Sequence, residues 1–102
     1  MNSSLTVTAR ERVSLTCDVT GSIKPNVTWF KDRIKIGSCT RFSNDCSIER
    51  RIPKRYAINR ESLALEIKLA EYEDSGKYRC VARNLAGKSN RTISLNIRGK
   101  FY

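Results

Sequence analysis

A chain of 102 residues makes one domain, large enough for a single core yet marginal without a covalent staple. Lysine and arginine number 20 against 10 acids, a net charge of +10 with no histidine, so the chain attracts polyanions and lacks the commonest general base and metal ligand. No apolar run is long enough to span a bilayer and no apolar leader follows Met1, so the chain reads as a domain cut from something larger, with Met1 an added start.

Leu5 to Ala9 alternates apolar with polar residues and predicts a first, edge strand, after which Arg10-Glu11-Arg12 turns the chain. Val13, Leu15, Cys17 and Val19 alternate against Ser14, Thr16 and Asp18, the pattern of a half-buried strand with its apolar side toward the core. Gly21 to Pro25 is turn chemistry. Val27 to Asp32 follows, with Trp29 inward and Phe30 outward, because successive strand side chains point to opposite faces. An outward aromatic is common beside solvent or a long neighbour, and a contact face is the sharper alternative.

From Gly37 to Pro53 the alternation breaks down over a stretch longer than most connections inside a compact domain; such loops are functional or held by something extra. Cys39 and Cys46, neither at an expected core-strand position, supply that hold. With six residues between them they can close a small loop, stabilising by about 2.5 kcal/mol in the chain-entropy account. A local Cys39–Cys46 disulfide is the expectation. Zinc is an alternative short of ligands, with no histidine and no Cys-x-x-Cys pair, and pairing between chains is another.

Lys54 to Asn59 is a short strand candidate, and Leu63, Leu65, Ile67 and Leu69 give the clearest alternation in the sequence. Tyr78, Cys80 and Ala82 then face inward, with Lys77, Arg79, Val81 and Arg83 outward. Asn84 to Gly87 is a hairpin turn, and Thr92 to Ile97 a last strand with Ile93, Leu95 and Ile97 inward. The domain occupies residues 1–98, and 99–102 begins a linker or tail.

Asp74-Ser75-Gly76-Lys77-Tyr78-Arg79-Cys80, taken with Cys17 and Trp29 upstream, resembles the immunoglobulin superfamily. Val13 to Cys17, Trp29-Phe30-Lys31-Asp32, Leu63 to Ile67 and Asp74 to Cys80 are most similar to its intermediate, I-set, type, and the likeness covers nearly the whole chain. It implies an all-β fold, an immunoglobulin-like two-sheet Greek-key sandwich. In that fold Cys17 and Cys80 are bonded between the sheets, Trp29 packs on the bridge, and the Tyr78 hydroxyl holds the turn that Asp74 and Gly76 build. Cys17 and Cys80 enclose 62 residues, a loop whose closure stabilises by about 4 kcal/mol in the same account. Ala70 to Asp74 resembles the short helical turn at the bottom of such sandwiches. The Cys39/Cys46 loop departs from the usual single-bridge pattern. The basic loop, Ser62 to Ile67 and Glu73 to Tyr78 are similar to the immunoglobulin domain of neuregulin-type growth factors, whose likeness implies heparan-sulfate binding; receptor tyrosine kinase ectodomains and neuronal adhesion proteins are the other parents implied.

Four cysteines and three sequons, at Asn2, Asn26 and Asn90, point to an oxidising, extracellular setting with those asparagines as N-glycosylation candidates. The rival is an intracellular I-set domain of muscle type with reduced thiols. Catalysis has little to work with: no histidine, no nucleophile beside a recognisable base, no phosphate-binding glycine loop and no carboxylate pair at a motif spacing. No catalytic residue, metal or cofactor is expected.

Charge carries more information. Lys31 to Arg60 holds nine basic residues against Asp32, Asp45 and Glu49, six of the ten excess charges in one third of the chain. Arg41, Arg50, Arg51, Lys54, Arg55 and Arg60 are therefore candidates for binding a polyanion, in an extracellular setting heparan sulfate, with a merely solvated face as the bland reading. Nucleic acid is not expected, because stacking aromatics are few among these cations and the secretory signals argue against that compartment. A second candidate surface, for protein partners at the cell surface, is the outward sheet face with Phe30, Lys77, Arg79, Val81 and Arg83. The expected function is a non-catalytic recognition module of a receptor, adhesion or secreted signalling protein.

Overall fold

The computed structural model describes residues 2–17, 25–41, 43, 46–85 and 87–99. Nine strands form among the described residues: β1 Asn2–Thr8, β2 Val13–Leu15, β3 Asn26–Lys31, β4 Ile34–Thr40, β5 Cys46–Ile48, β6 Tyr56–Ile58, β7 Leu65–Ile67, β8 Gly76–Asn84 and β9 Gly87–Arg98. A 3-10 turn at Tyr72–Asp74 precedes β8, as the sequence around Ala70 to Asp74 predicted. One sheet runs β1-β9-β8-β3-β4-β5 and the other β2-β7-β6, with β1 parallel to β9 on the edge where the first strand was expected.

Alternation explains how the sheets meet. Val13 and Leu15, Tyr56 and Ile58, and Leu65 and Ile67 face Val27, Trp29, Tyr78, Cys80, Ile93, Leu95 and Ile97, all buried, so each sheet buries the period-2 side that its sequence makes apolar. The Cys17–Cys80 disulfide joins the sheets with Cα atoms 6.1 Å apart, and Trp29 lies directly opposite Cys80 in the β3–β8 register. The Trp29 indole N–H donates to the Leu63 carbonyl at 3.0 Å, giving a buried donor its partner.

Four expectations need correction. Gly37 to Pro53 is not patternless: β4 and β5 form a hairpin there, with Cys39 paired to Cys46. A register shift at Trp29/Phe30 against β4 breaks the two-residue period, so Lys35 faces outward while Ile36 and Gly37 are both buried. Cys39 does occupy a core position, fully buried opposite Val27, and it joins Cys46 in the expected local disulfide. Leu69, expected inward with Leu65 and Ile67, is 57% exposed because β7 ends at Ile67 and the chain bends. Ala70 takes the buried place instead, exchanging backbone hydrogen bonds with Arg10 and Glu11. The last strand also starts earlier than Thr92, since the β8–β9 ladder continues to the Asn84–Gly87 pair. Asp18, Val19, Gly21, Phe42, Asp45 and Ala86 lie outside the described residues.

Gly76 sits at a backbone φ of 156°, and a Cβ there would meet Asp32 Oδ2 at 2.6 Å. A side chain is excluded because Asp32 approaches to accept the Lys77 N–H at 3.0 Å, tying the β3–β4 turn to the start of β8.

Candidate recognition surfaces

The Asp74 corner is the most polar part of the interior. The Tyr78 hydroxyl donates to the Asp74 carbonyl at 2.6 Å, the expected tyrosine corner, and the Asp74 carboxylate accepts the Glu71 N–H at 2.8 Å. Arg55 closes on the same carboxylate with two hydrogen bonds, 2.7 and 3.2 Å, and the Tyr56 hydroxyl donates to it as well. Each phenol has one proton and both go to Asp74, so the two phenol oxygens rest 3.0 Å apart as neighbours. Burial opposes ionisation of Asp74, but the bonds from Arg55, Tyr56 and the Glu71 N–H outweigh it and hold the carboxyl below its ordinary range. Burial first, then the bond to Asp74, pushes the Tyr56 phenol up; burial likewise raises that of Tyr78. Asp74 is thus a buried anion satisfied on every side, which holds a turn and offers no acid or base to a substrate.

This corner divides the basic candidates. Arg55 is committed to Asp74, its side chain only 22% exposed, so it stands apart from Arg50, Arg51 and Lys54. Strand alternation puts Tyr56 inward and Arg55 outward; the long side chain folds back around the start of β6, a step no pattern of residues announces. Arg50, Arg51 and Lys54 lie exposed in the β5–β6 connection, and among the described residues no carboxylate reaches ion-pair distance of any of them. The nearby Glu49 turns to Lys35 at 3.9 Å. Arg41, just after β4, reaches across to the turn between β6 and β7, where its Nε donates to the Glu61 carbonyl at 2.9 Å beside the exposed Arg60. The structure therefore gives two basic groups, Arg50-Arg51-Lys54 on the β5–β6 connection and Arg41 with Arg60, which the bond to Glu61 brings to the β6–β7 turn.

The outward face of the six-stranded sheet carries the other candidates. Phe30 and Arg79 are cross-strand partners, and the guanidinium covers the ring at 5.2 Å, so Phe30 is half-buried rather than bare. With Arg33, Lys77 and Thr92 they line a shallow depression of about 600 Å³, in which Asp32 is the one carboxylate. Val81 and Arg83 continue the face along β8.

Arg91 is a structural residue that sequence reasoning missed. It pairs in register with Cys80, and its guanidinium donates to the Thr16 carbonyl and hydroxyl at 2.9 and 3.1 Å and to Ser3 Oγ at 3.1 Å. It bridges β9, β1 and the end of β2 beside the disulfide. Only its inward parity, shared with Ile93 and Leu95, hints at this.

The chain matches the model of the immunoglobulin I-set domain over residues 1–97, and it belongs to that family. Hemicentin-1 of Mus musculus is 36% identical over 91 residues, which are 89% of this chain and 1% of the relative. Neural cell adhesion molecule 1 of Gallus gallus is 31% identical over 95 residues, 93% of this chain and 8% of the relative. Among solved structures, the titin domains z1z2 in complex with telethonin superpose with a TM-score of 0.72 at 28% identity, over 97% of this chain and 44% of that one. The chain thus spans a small fraction of the length of the curated relatives it matches. It is a non-catalytic recognition domain of the kind found in cell-surface immunoglobulin-type proteins, not an enzyme.

Proposed function

We propose that this module works outside the cell or at its surface, within a receptor, adhesion or secreted signalling protein, and that its cationic flank binds heparan sulfate. The observation carrying this reading is the exposure of Arg50, Arg51 and Lys54 on one connection with no carboxylate at ion-pair distance among the described residues. Arg41 and Arg60 extend the flank to the neighbouring turn; Arg55 does not contribute. Each cation meets a sulfate and displaces a counterion, so affinity depends steeply on salt and weakly on sugar sequence. The two disulfides support the oxidising compartment that this partner requires.

Charge reversal tests the reading. Arg50→Glu, Arg51→Glu and Lys54→Glu together lower the slope of log affinity for heparin against log salt by about two to three, near one for each cation lost. Reversal at Lys68 and Lys88, both exposed elsewhere, leaves the slope little changed. Equal losses from both sets would reduce the attraction to net charge alone.

A further inference from the structure

The three sequons are the sequence feature that the flank does not use, and two of them meet on one face. Asn26 opens β3 and faces away from the core, since Val27 beside it is fully buried; its Nδ2 donates to Thr40 Oγ1 across the outer face at 2.9 Å. Thr28, the hydroxyl of the same sequon, follows on that face. Asn90 is exposed on β9 opposite Val81, with Thr92, its own sequon hydroxyl, opposite Arg79. In the β3–β8 register Asn26 lies opposite Arg83 and Thr28 opposite Val81. The two acceptors therefore flank β8 on either side, two strands apart and offset by two residues, about 12 Å from one another by strand geometry.

We infer that N-linked sugars at Asn26 and Asn90 cover the outer face of the six-stranded sheet over Val81 and Arg83, leaving the β5–β6 flank as the module's open surface. The inference rests on the extracellular placement proposed above. In the transfer, Nδ2 bonds to the anomeric carbon of an oligosaccharide carried on a lipid pyrophosphate; the amide gives up one proton and the lipid pyrophosphate leaves. The substituted amide retains one N–H, so the bond from Asn26 to Thr40 survives and the sugar takes the outward position. Thr28, Ser38, Thr40, Thr92 and Ser94 present hydroxyls on this face, and no carboxylate stands on the strand positions of β3, β8 or β9 that face outward. Such a surface suits a hydrated, bulky sugar, which is placed where it disturbs no buried contact. Asn2 pairs in register with Thr92 at the start of β1 and is not needed for the argument.

The test is made on the whole chain secreted from a eukaryotic cell behind a cleavable leader. Intact mass shows a sugar on Asn26 and on Asn90, one disappearing in Asn26→Gln and the other in Asn90→Gln. Lys88 lies two residues from Asn90 on β9 and, across Arg83, in the same cross-strand row as Asn26, so its acylation by a bulky amine reagent rises severalfold in the double variant, while that of Lys54 is unchanged. Secreted chain bearing no sugar at either asparagine, or at one alone, overturns the inference, as does a Lys88 rate equal with and without sugar. Heparin affinity measured on the same preparations keeps the two readings separate: its dependence on Arg50, Arg51 and Lys54 survives if only the sugars fail, and is lost with the sugars in place if only the flank fails.

Discussion

Arg55 and Asp74, 19 residues apart in sequence, form the one bidentate charge pair among the described residues, with hydrogen bonds of 2.7 and 3.2 Å to a carboxylate that is 1% exposed. A pair of this kind resists removal of one partner more than replacement of both, because the survivor is left charged and buried. Arg55→Met lowers stability by about 3 kcal/mol, seen as a fall in the urea midpoint with the slope unchanged. The same variant leaves the salt dependence of heparin binding as it was, whereas Lys54→Met reduces that slope by about one. A stability loss below about 1 kcal/mol would mean that Tyr56 and the Glu71 N–H satisfy Asp74 unaided.

The same corner sets both ends of the pH range. The ordinary value for the Asp74 carboxyl is 3.8, and the fold holds it lower. Above 3.8 the group is ionised folded or unfolded and its contribution is whole; below 3.8 the unfolded chain takes up a proton first, and the contribution fades as pH falls through the folded value. For Tyr56 and Tyr78 the ordinary value is 10.0 and the fold raises it, so their contribution is whole below 10.0 and is lost as pH climbs beyond. Urea midpoints measured against pH form a plateau with an acid and an alkaline shoulder. Asp74→Asn flattens the acid shoulder and Tyr56→Phe weakens the alkaline one. An acid shoulder untouched in Asp74→Asn places the acid-sensitive group elsewhere.

Much of this corner was legible beforehand and part of it was not, for a definite reason. Cys17, Trp29, Tyr78 and Cys80 announce themselves because the sandwich needs those side chains at fixed strand positions, and their inward parity follows from the two-residue period. Cys39 and Leu69 were misplaced where that period is broken: the register shift beside Trp29 turns β4 over, and the end of β7 releases Leu69 to solvent. Arg55 was taken for surface charge, and Arg91 went unremarked, for a different reason. Their partners, Asp74 and Thr16, are reached by long side chains across elements far apart in sequence, and composition carries no trace of that reach. The cationic flank was legible as charge, but that Arg55 is committed to Asp74 while no carboxylate among the described residues reaches Arg50, Arg51 or Lys54 is visible in tertiary contacts alone.

The two disulfides differ in the length of chain they close, and their removal separates two kinds of stabilisation. Cys17–Cys80 spans 63 residues and Cys39–Cys46 spans seven. In the chain-entropy account these loops restrain the unfolded chain by about 4 and about 2.5 kcal/mol. Cys17→Ala with Cys80→Ala also strips the bridge from beside Trp29 in the core. Against a total stability of about 5 to 15 kcal/mol, that variant is marginal at physiological temperature. Cys39→Ala with Cys46→Ala keeps the sandwich, because the β3–β4 ladder that positions residue 39 runs from Asn26–Thr40 to Lys31–Ile34 independently of the bridge. Its urea midpoint falls by the smaller amount, and its heparin slope stays within one unit of the parent, since Arg50 and Arg51 follow β5 and are not held by the bond itself. Equal losses in the two double variants would sink the loop-length account and leave core packing as the common cause. A heparin slope that collapses with the small loop would instead make the β4–β5 hairpin the scaffold that positions the flank.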